Sequence, residues 1–149
     1  MAGRTGPSPT YPGVPVELEI VPSSVHLPEI RRAAQGMLAG IAGEVADDVL
    51  LALDEAVANA IRHGSQDGRP IRVALAVRSG WIEMAVQDRG PTPRLPRLPA
   101  DPPAPLAVGG RGLWLILQLV DEVRLARVGE GTLLSLRRRA EAFTGATRR

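Results

Sequence analysis

The chain of 149 residues has no cysteine and no lysine; all 18 of its basic residues are arginine. The first absence excludes a disulfide framework, a thiolate metal site and a cysteine nucleophile, and it suits a reducing compartment. The second changes how the charge is read. Guanidinium groups do not titrate until very high pH, so the sequence pI of about 10.3 overstates the basicity of a chain whose formal net charge is only +2. The arginines are scattered among acids and no aromatic–basic motif accompanies them, which argues against direct nucleic-acid binding. Aromatics are scarce: Tyr11, Trp81, Trp114 and Phe143 are all there are, so the core has to be built from Leu, Val, Ile and Ala. No apolar run approaches the ~20 residues a bilayer crossing needs, and Met1 to Pro15 lacks the apolar segment of a signal peptide. No membrane association is expected, and the default location is cytoplasmic. With 44% hydrophobic and 23% charged residues the composition is globular, and the length gives room for one domain.

In residues 1–15, Gly3, Gly6, Pro7, Pro9, Pro12, Gly13 and Pro15 break any helix or ladder, so this stretch reads as a flexible tail. Val16 to Val21 alternates Val16, Leu18 and Ile20 against Glu17 and Glu19, a strand with one buried face. Ser23 and Ser24 are placed to cap a helix from about Pro28 to Ile41. Glu44 to His63 reads as a second helix, with Leu50, Leu53, Val57 and Ala60 or Ile61 at core spacing and Gly64 at its end. Arg69 to Asp88 reads as a hairpin. A two-residue turn at Ser79-Gly80 sets Val77 opposite Ile82, Leu75 opposite Met84 and Val73 opposite Val86, an all-apolar face. The other face carries Arg72, Arg78, Glu83 and Gln87, so the sheet is covered on one side only. Extending the register turns Asp88 toward the core, where a carboxylate needs a hydrogen-bonding partner, unless the strand end has already reached solvent.

Half of the 14 prolines fall between Pro91 and Pro105, marking a long loop. Gly109-Gly110-Arg111-Gly112 then leads into an apolar helix over Leu113 to Val120. Bare N–H groups at a helix start suit phosphate, although such a run is also a common hinge. Strands over Glu122 to Arg127 and Thr132 to Arg138 close the domain, joined by Gly129-Glu130-Gly131, and the Arg-rich end from Arg137 to Arg149 reads as solvated. On the second helix Glu55 and Asn59 stand four apart on one face, with His63 a turn further on. Taken alone, they are either a solvated stripe or the start of a site.

The order of four motifs decides that choice. Leu51 to Gly64 (LALDEAVANAIRHG), Asp88-Arg89-Gly90, Gly110-Arg111-Gly112-Leu113 and Gly131-Thr132 resemble the N-box, G1 box, G2 box and closing Gly-Thr of the GHKL-type (Bergerat) ATP-binding fold. DNA gyrase, the Hsp90 chaperones, histidine kinases and MutL share that fold, and the branch most similar here is the bacterial anti-sigma factors with serine-protein kinase activity. The resemblance runs from about Val16 to Arg138. It implies an α+β two-layer sandwich, a mixed and mostly antiparallel sheet covered on one face by about three helices. The ATP-binding domain would span 16–138, with a lid loop over about 89–108 and a tail over 139–149.

The resemblance also implies roles. Asn59 binds the Mg²⁺ that bridges the phosphates of ATP, and Glu55 is the general base. Asp88 accepts from the adenine amino group, supported by Gly90 and Thr132. Gly110 and Gly112 offer amides to the phosphates, with Arg111 and Leu113 beside them. Arg31 on the first helix occupies the place of a partner-contacting arginine, and is otherwise a solvated one. One departure is Thr92, flanked by Pro91 and Pro93, where many relatives have a second G1-box glycine, which bears on lid closure. The implied function is an ATP-dependent kinase that binds a sigma factor and phosphorylates a serine of an anti-anti-sigma antagonist, acting as a homodimer. The alternatives are an ATP-binding regulatory module without transfer activity and a histidine-kinase-like catalytic domain. Against the latter, no room precedes Val16 for dimerisation helices, and against the former, nucleotide binding alone needs no base.

Overall fold

Period-two patterning in five segments and period-3.6 patterning in three give the elements of the computed structural model, which describes residues 16–20, 26–41, 43–64, 68–89, 111–129 and 131–140. In chain order they are β1 (Val16–Ile20), α1 (Leu27–Met37), α2 (Gly43–Asn59) with a π-helical turn at Ala60–Gly64, β2 (Ile71–Arg78), β3 (Trp81–Gln87), α3 (Arg111–Leu119), β4 (Glu122–Val128) and β5 (Gly131–Arg139). The strands form one sheet in the order β1-β2-β3-β5-β4, and every pairing among the described strands is antiparallel. This is the expected α+β architecture. The expected lid over 89–108 falls almost wholly outside the described residues, as do residues 1–15 and 141–149 and the proposed caps Ser23 and Ser24.

The β2–β3 hairpin has the register that the apolar pairing requires: Val77 faces Ile82, Leu75 faces Met84 and Val73 faces Val86. Ser79 and Gly80 both have positive φ, 51° and 80°, as a type I′ turn demands. The apolar face of the sheet, with Ile71, Val73, Ile82, Met84, Leu134 and Leu136, joins Ile30, Val49, Leu53, Val57 and Ile116 of the helices in one core. The opposite face is charged. Arg72 pairs with Glu19 at 3.2 Å, and Arg137 pairs with Glu83 at 3.4 Å and Glu122 at 3.0 Å. The guanidinium groups of Arg137 and Arg139 stack on Trp81, 4.1 and 4.5 Å from the ring centre.

Several boundaries differ from the sequence reading. The N-cap of α1 is His26, which makes no side-chain capping bond, and Pro28 in the first turn supplies a preset φ instead. The helix stops at Met37 rather than Ile41, because the chain turns through Gly40 at a φ of 92°. Helix α2 keeps its α geometry only to Asn59 and widens into the π turn before Gly64. Its buried stripe is Val45, Val49, Ala52, Leu53, Ala56 and Val57, while Leu50 is only partly buried. Helix α3 begins at Arg111, two residues early, and takes Gly112 into its first turn.

The largest correction concerns the solvated reading of the C-terminal arginines, since the strand expected to end at Arg138 holds them and runs on to Arg139. Arg137, Arg138 and Arg139 belong to β5, and Ala140 is buried with its N–H donating to the Gly80 carbonyl at 2.9 Å. Strand parity is the cause. Arg138 shares the helix-facing side with Leu134 and Leu136, and its guanidinium reaches Asp48 of α2 at 3.1 Å and Asp121 at 3.7 Å.

At the other end of β5, Gly131 is buried against the end of β3. A Cβ there would overlap the Asp88 carbonyl oxygen and lie 2.8 Å from its carbon and 2.9 Å from Arg89 Cα. Gly131→Ala therefore has to force two paired backbones apart and should destabilise by roughly 1–3 kcal/mol in urea unfolding. Gly36→Ala, in α1 with nothing within 4 Å of the new methyl, should instead stabilise by about 0.5–1 kcal/mol. Equal effects would contradict the close approach at Gly131.

Candidate functional site

Two polar residues interrupt the apolar character of α2 near its end. Glu55 and Asn59 are half-buried, one turn apart, beside the buried small residues Ala52, Ala56 and Ala60. The first turn of α3 comes down on this pair. A Cβ on Gly112 would sit 3.0 Å from Asn59 Nδ2, 3.1 Å from Asn59 Oδ1 and 3.1 Å from Glu55 Oε2. The absent side chain therefore lets the Asn59 amide, through both nitrogen and oxygen, and a Glu55 carboxylate oxygen lie close against the helix start. Arg62 of the π turn donates from Nη2 to Asn59 Oδ1 at 2.8 Å.

The second cluster lies where β3 meets β5. Asp88 N–H donates to the Thr132 carbonyl at 3.0 Å, and Thr132 N–H donates to Asp88 Oδ1 at 3.3 Å. Asp88 is 8% exposed, the one buried charged residue among those described, so the strand end has not reached solvent. Its carboxylate takes a backbone donor that the ladder no longer satisfies, which offsets part of the cost of burial. Thr132 lies on the same side of β5 as Leu134 and Leu136, as expected from parity.

An ion pair links the helix and the strand that carry the two clusters. Asp48 near the start of α2 meets Arg138 near the end of β5. From there α2 runs ~16 Å to Asn59 and β5 runs ~20 Å back to Thr132.

Among the remaining expected site residues, α3 begins at Arg111, and Leu113 packs partly buried on the core. Gly90, Thr92 and Gly110 lie outside the described residues. Arg31 is half-exposed, but its guanidinium is engaged by Asp54 of α2, next to Glu55, so it is not simply solvated. The reading of the sequence overlooked both Asp54 and Arg62. The i,i+3 spacing of Asn59 and Arg62 was a usable signal for the latter. Nothing local could have paired residues 31 and 54.

Known proteins are similar to this chain in sequence and in fold. The profile of the family described as histidine kinase-like ATPase domain matches residues 20–138. A serine-protein kinase RsbW from Oceanobacillus iheyensis is 30% identical over 114 residues, covering 66% of this chain and 72% of that protein. An RsbW from Listeria monocytogenes is 28% identical over 123 residues, 75% of this chain and 78% of its own. Among solved structures, one of RsbU and RsbW domains from Mycobacterium tuberculosis superposes with a TM-score of 0.66 at 26% identity, over 86% of this chain but only 32% of that one. The histidine kinase domain of a blue-light activated kinase from Erythrobacter litoralis, at 22% identity and a TM-score of 0.53, shares the fold.

The Gly112 contacts generate a test. In Gly112→Ala the new methyl must displace Glu55 or Asn59 by a few tenths of an ångström, yet it touches only side-chain ends, so the fold should survive. Expected are a thermal midpoint within a few degrees of wild type and a clear loss of nucleotide affinity by calorimetry. Unchanged affinity would mean that the approach of α3 does not shape the site.

Proposed function

The chain belongs to the histidine kinase-like ATPase domain family, and from that premise we propose that it is an ATP-dependent serine-protein kinase and anti-sigma factor. In this reading it holds a sigma factor and phosphorylates a serine of an anti-anti-sigma antagonist. The observation that carries the reading is the placement of Glu55 and Asn59 one turn apart against the side-chain-free Gly112 at the start of α3. Nucleotide binding alone has no need for a carboxylate there, whereas phosphoryl transfer to a hydroxyl does.

Each residue has a stated task. Asp88, held by Thr132, receives the adenine amino group, and the amides at the start of α3 face the phosphates. The Glu55 carboxylate takes the proton of the serine hydroxyl as that oxygen bonds to the γ-phosphorus. The bond from phosphorus to the β–γ bridging oxygen breaks, and ADP leaves. A Mg²⁺ ion fits the residues present, because Asn59 Oδ1 is a hard oxygen donor and the neighbouring Glu55 carboxylate, kept for the proton, adds negative charge. Among the described residues no three His, Cys, Asp or Glu side chains cluster as a metal cage, so an ion at Asn59 would share its shell with phosphates and water. Bound there, it would neutralise charge on the transferring group. Arg31, presented by α1 and tethered to Asp54, is the proposed contact for the protein partners.

Two measurements test this. Wild type should prefer ATP to GTP, and Asp88→Asn should weaken ATP while shifting thermal stability little; equal affinity for the two nucleotides would remove Asp88 from adenine recognition. The decisive experiment separates binding from transfer. Glu55→Ala should retain ATP affinity and lose about 10² to 10⁴-fold in phosphorylation of the antagonist, whereas Asn59→Ala should lose Mg²⁺-dependent binding as well. Transfer by Glu55→Ala at the wild-type rate would replace the kinase reading with that of a nucleotide-binding regulatory module.

A further inference from the structure

Arg62 is not needed by the chemistry above, yet its guanidinium donates at 2.8 Å to Asn59 Oδ1, the oxygen assigned to the cation. The amide has little freedom to present another atom. Asn59 Nδ2 and Oδ1 lie 3.0 and 3.1 Å from where a Gly112 Cβ would stand, so the amide is set close against the start of α3 while Arg62 holds its oxygen. A guanidinium and a divalent cation at one oxygen repel each other. Arg62 itself is exposed, so it can swing into water without leaving a buried charge behind.

We infer that Arg62 is a built-in competitor of the divalent cation. Its guanidinium and the cation claim the same Asn59 Oδ1, so it must be displaced before a metal–nucleotide complex seats. The inference rests on the reading of Asn59 as the metal ligand. Competition raises the free Mg²⁺ concentration at which nucleotide binding becomes metal-assisted, and it keeps Asn59 in the rotamer the cation later uses.

The test is a calorimetric titration of ADP into the full chain at a series of free Mg²⁺ concentrations and in EDTA. Wild type, Arg62→Ala, Arg62→Gln, Asn59→Ala and the surface control Arg32→Ala are compared, with thermal midpoints checking that each folds. Using ADP avoids turnover. Arg62→Ala should lower the Mg²⁺ concentration for half-maximal enhancement roughly three- to tenfold, as expected for losing one partly screened charge contact. Arg62→Gln should move it the same way by less, Arg32→Ala should leave it alone, and affinity in EDTA should stay within about twofold of wild type. An unchanged or higher Mg²⁺ requirement in Arg62→Ala overturns the inference. So does a large loss of ADP affinity in EDTA, which would make Arg62 a phosphate contact. If Asn59→Ala keeps the wild-type Mg²⁺ response, the metal assignment fails and this inference with it. If Asn59→Ala abolishes the response and Arg62→Ala leaves it unmoved, only the competition falls.

Discussion

The closeness with which α3 meets α2 is the constraint on which the site depends. Helices ordinarily pack with side chains between them, 8–10 Å apart as a rough range. Here α3 offers Gly112, so Glu55 and Asn59 of α2 meet its first turn with no side chain between them. Two polar side chains can then lie against a helix start without being covered by a neighbour's bulk. A residue of any size at position 112 would compete for the volume in which Glu55 and Asn59 present their oxygens.

The sheet supplies the other half by different means. Past Gln87 and Leu133 the ladder between β3 and β5 continues through one more backbone bond, Asp88 N–H to the Thr132 carbonyl. It then switches, and the Asp88 carboxylate itself receives the Thr132 N–H. The side chain is thereby held by the secondary structure rather than by a loop. The near-contact of Gly131 with the Asp88 carbonyl belongs to the same junction: the two strands converge where the carboxylate is fixed, and only a residue without Cβ fits between them.

What could be read from the sequence was whatever obeys a period. The hairpin register, the buried parity of Asp88 and Thr132, and the shared face of Glu55 and Asn59 follow from counting twos and fours, and the structure has all three. What escaped depends on contacts distant in sequence. Arg137 to Arg139 look like a solvated tail, yet a neighbouring strand keeps them extended, Asp48 and Asp121 receive Arg138 on one face, and Trp81 receives Arg137 and Arg139 on the other. The Arg31–Asp54 pair joins α1 to α2 across 23 residues, beyond any local rule. The π turn after Asn59 escaped for another reason, since a widened last turn leaves the apolar period of the helix almost unchanged.

Register also explains why a turn far from the site matters to it. Asp88 faces the core only because the pairing that starts at Ser79-Gly80 runs without a bulge through seven residue pairs to Arg72 and Gln87. A slip of one residue would exchange the faces of a whole strand. It would put Ile82, Met84 and Val86 among the charges of the open face, and would turn Asp88 away from Thr132. The apolar face that closes the core thus also aims the carboxylate, because the one-residue slip that would turn Asp88 away would also expose those three side chains. The open face reinforces the choice: Arg137 meets Glu83 and stacks on Trp81 only in this alignment of β3 with β5. Aiming the Asp88 carboxylate and closing the core are, in this sheet, one physical event.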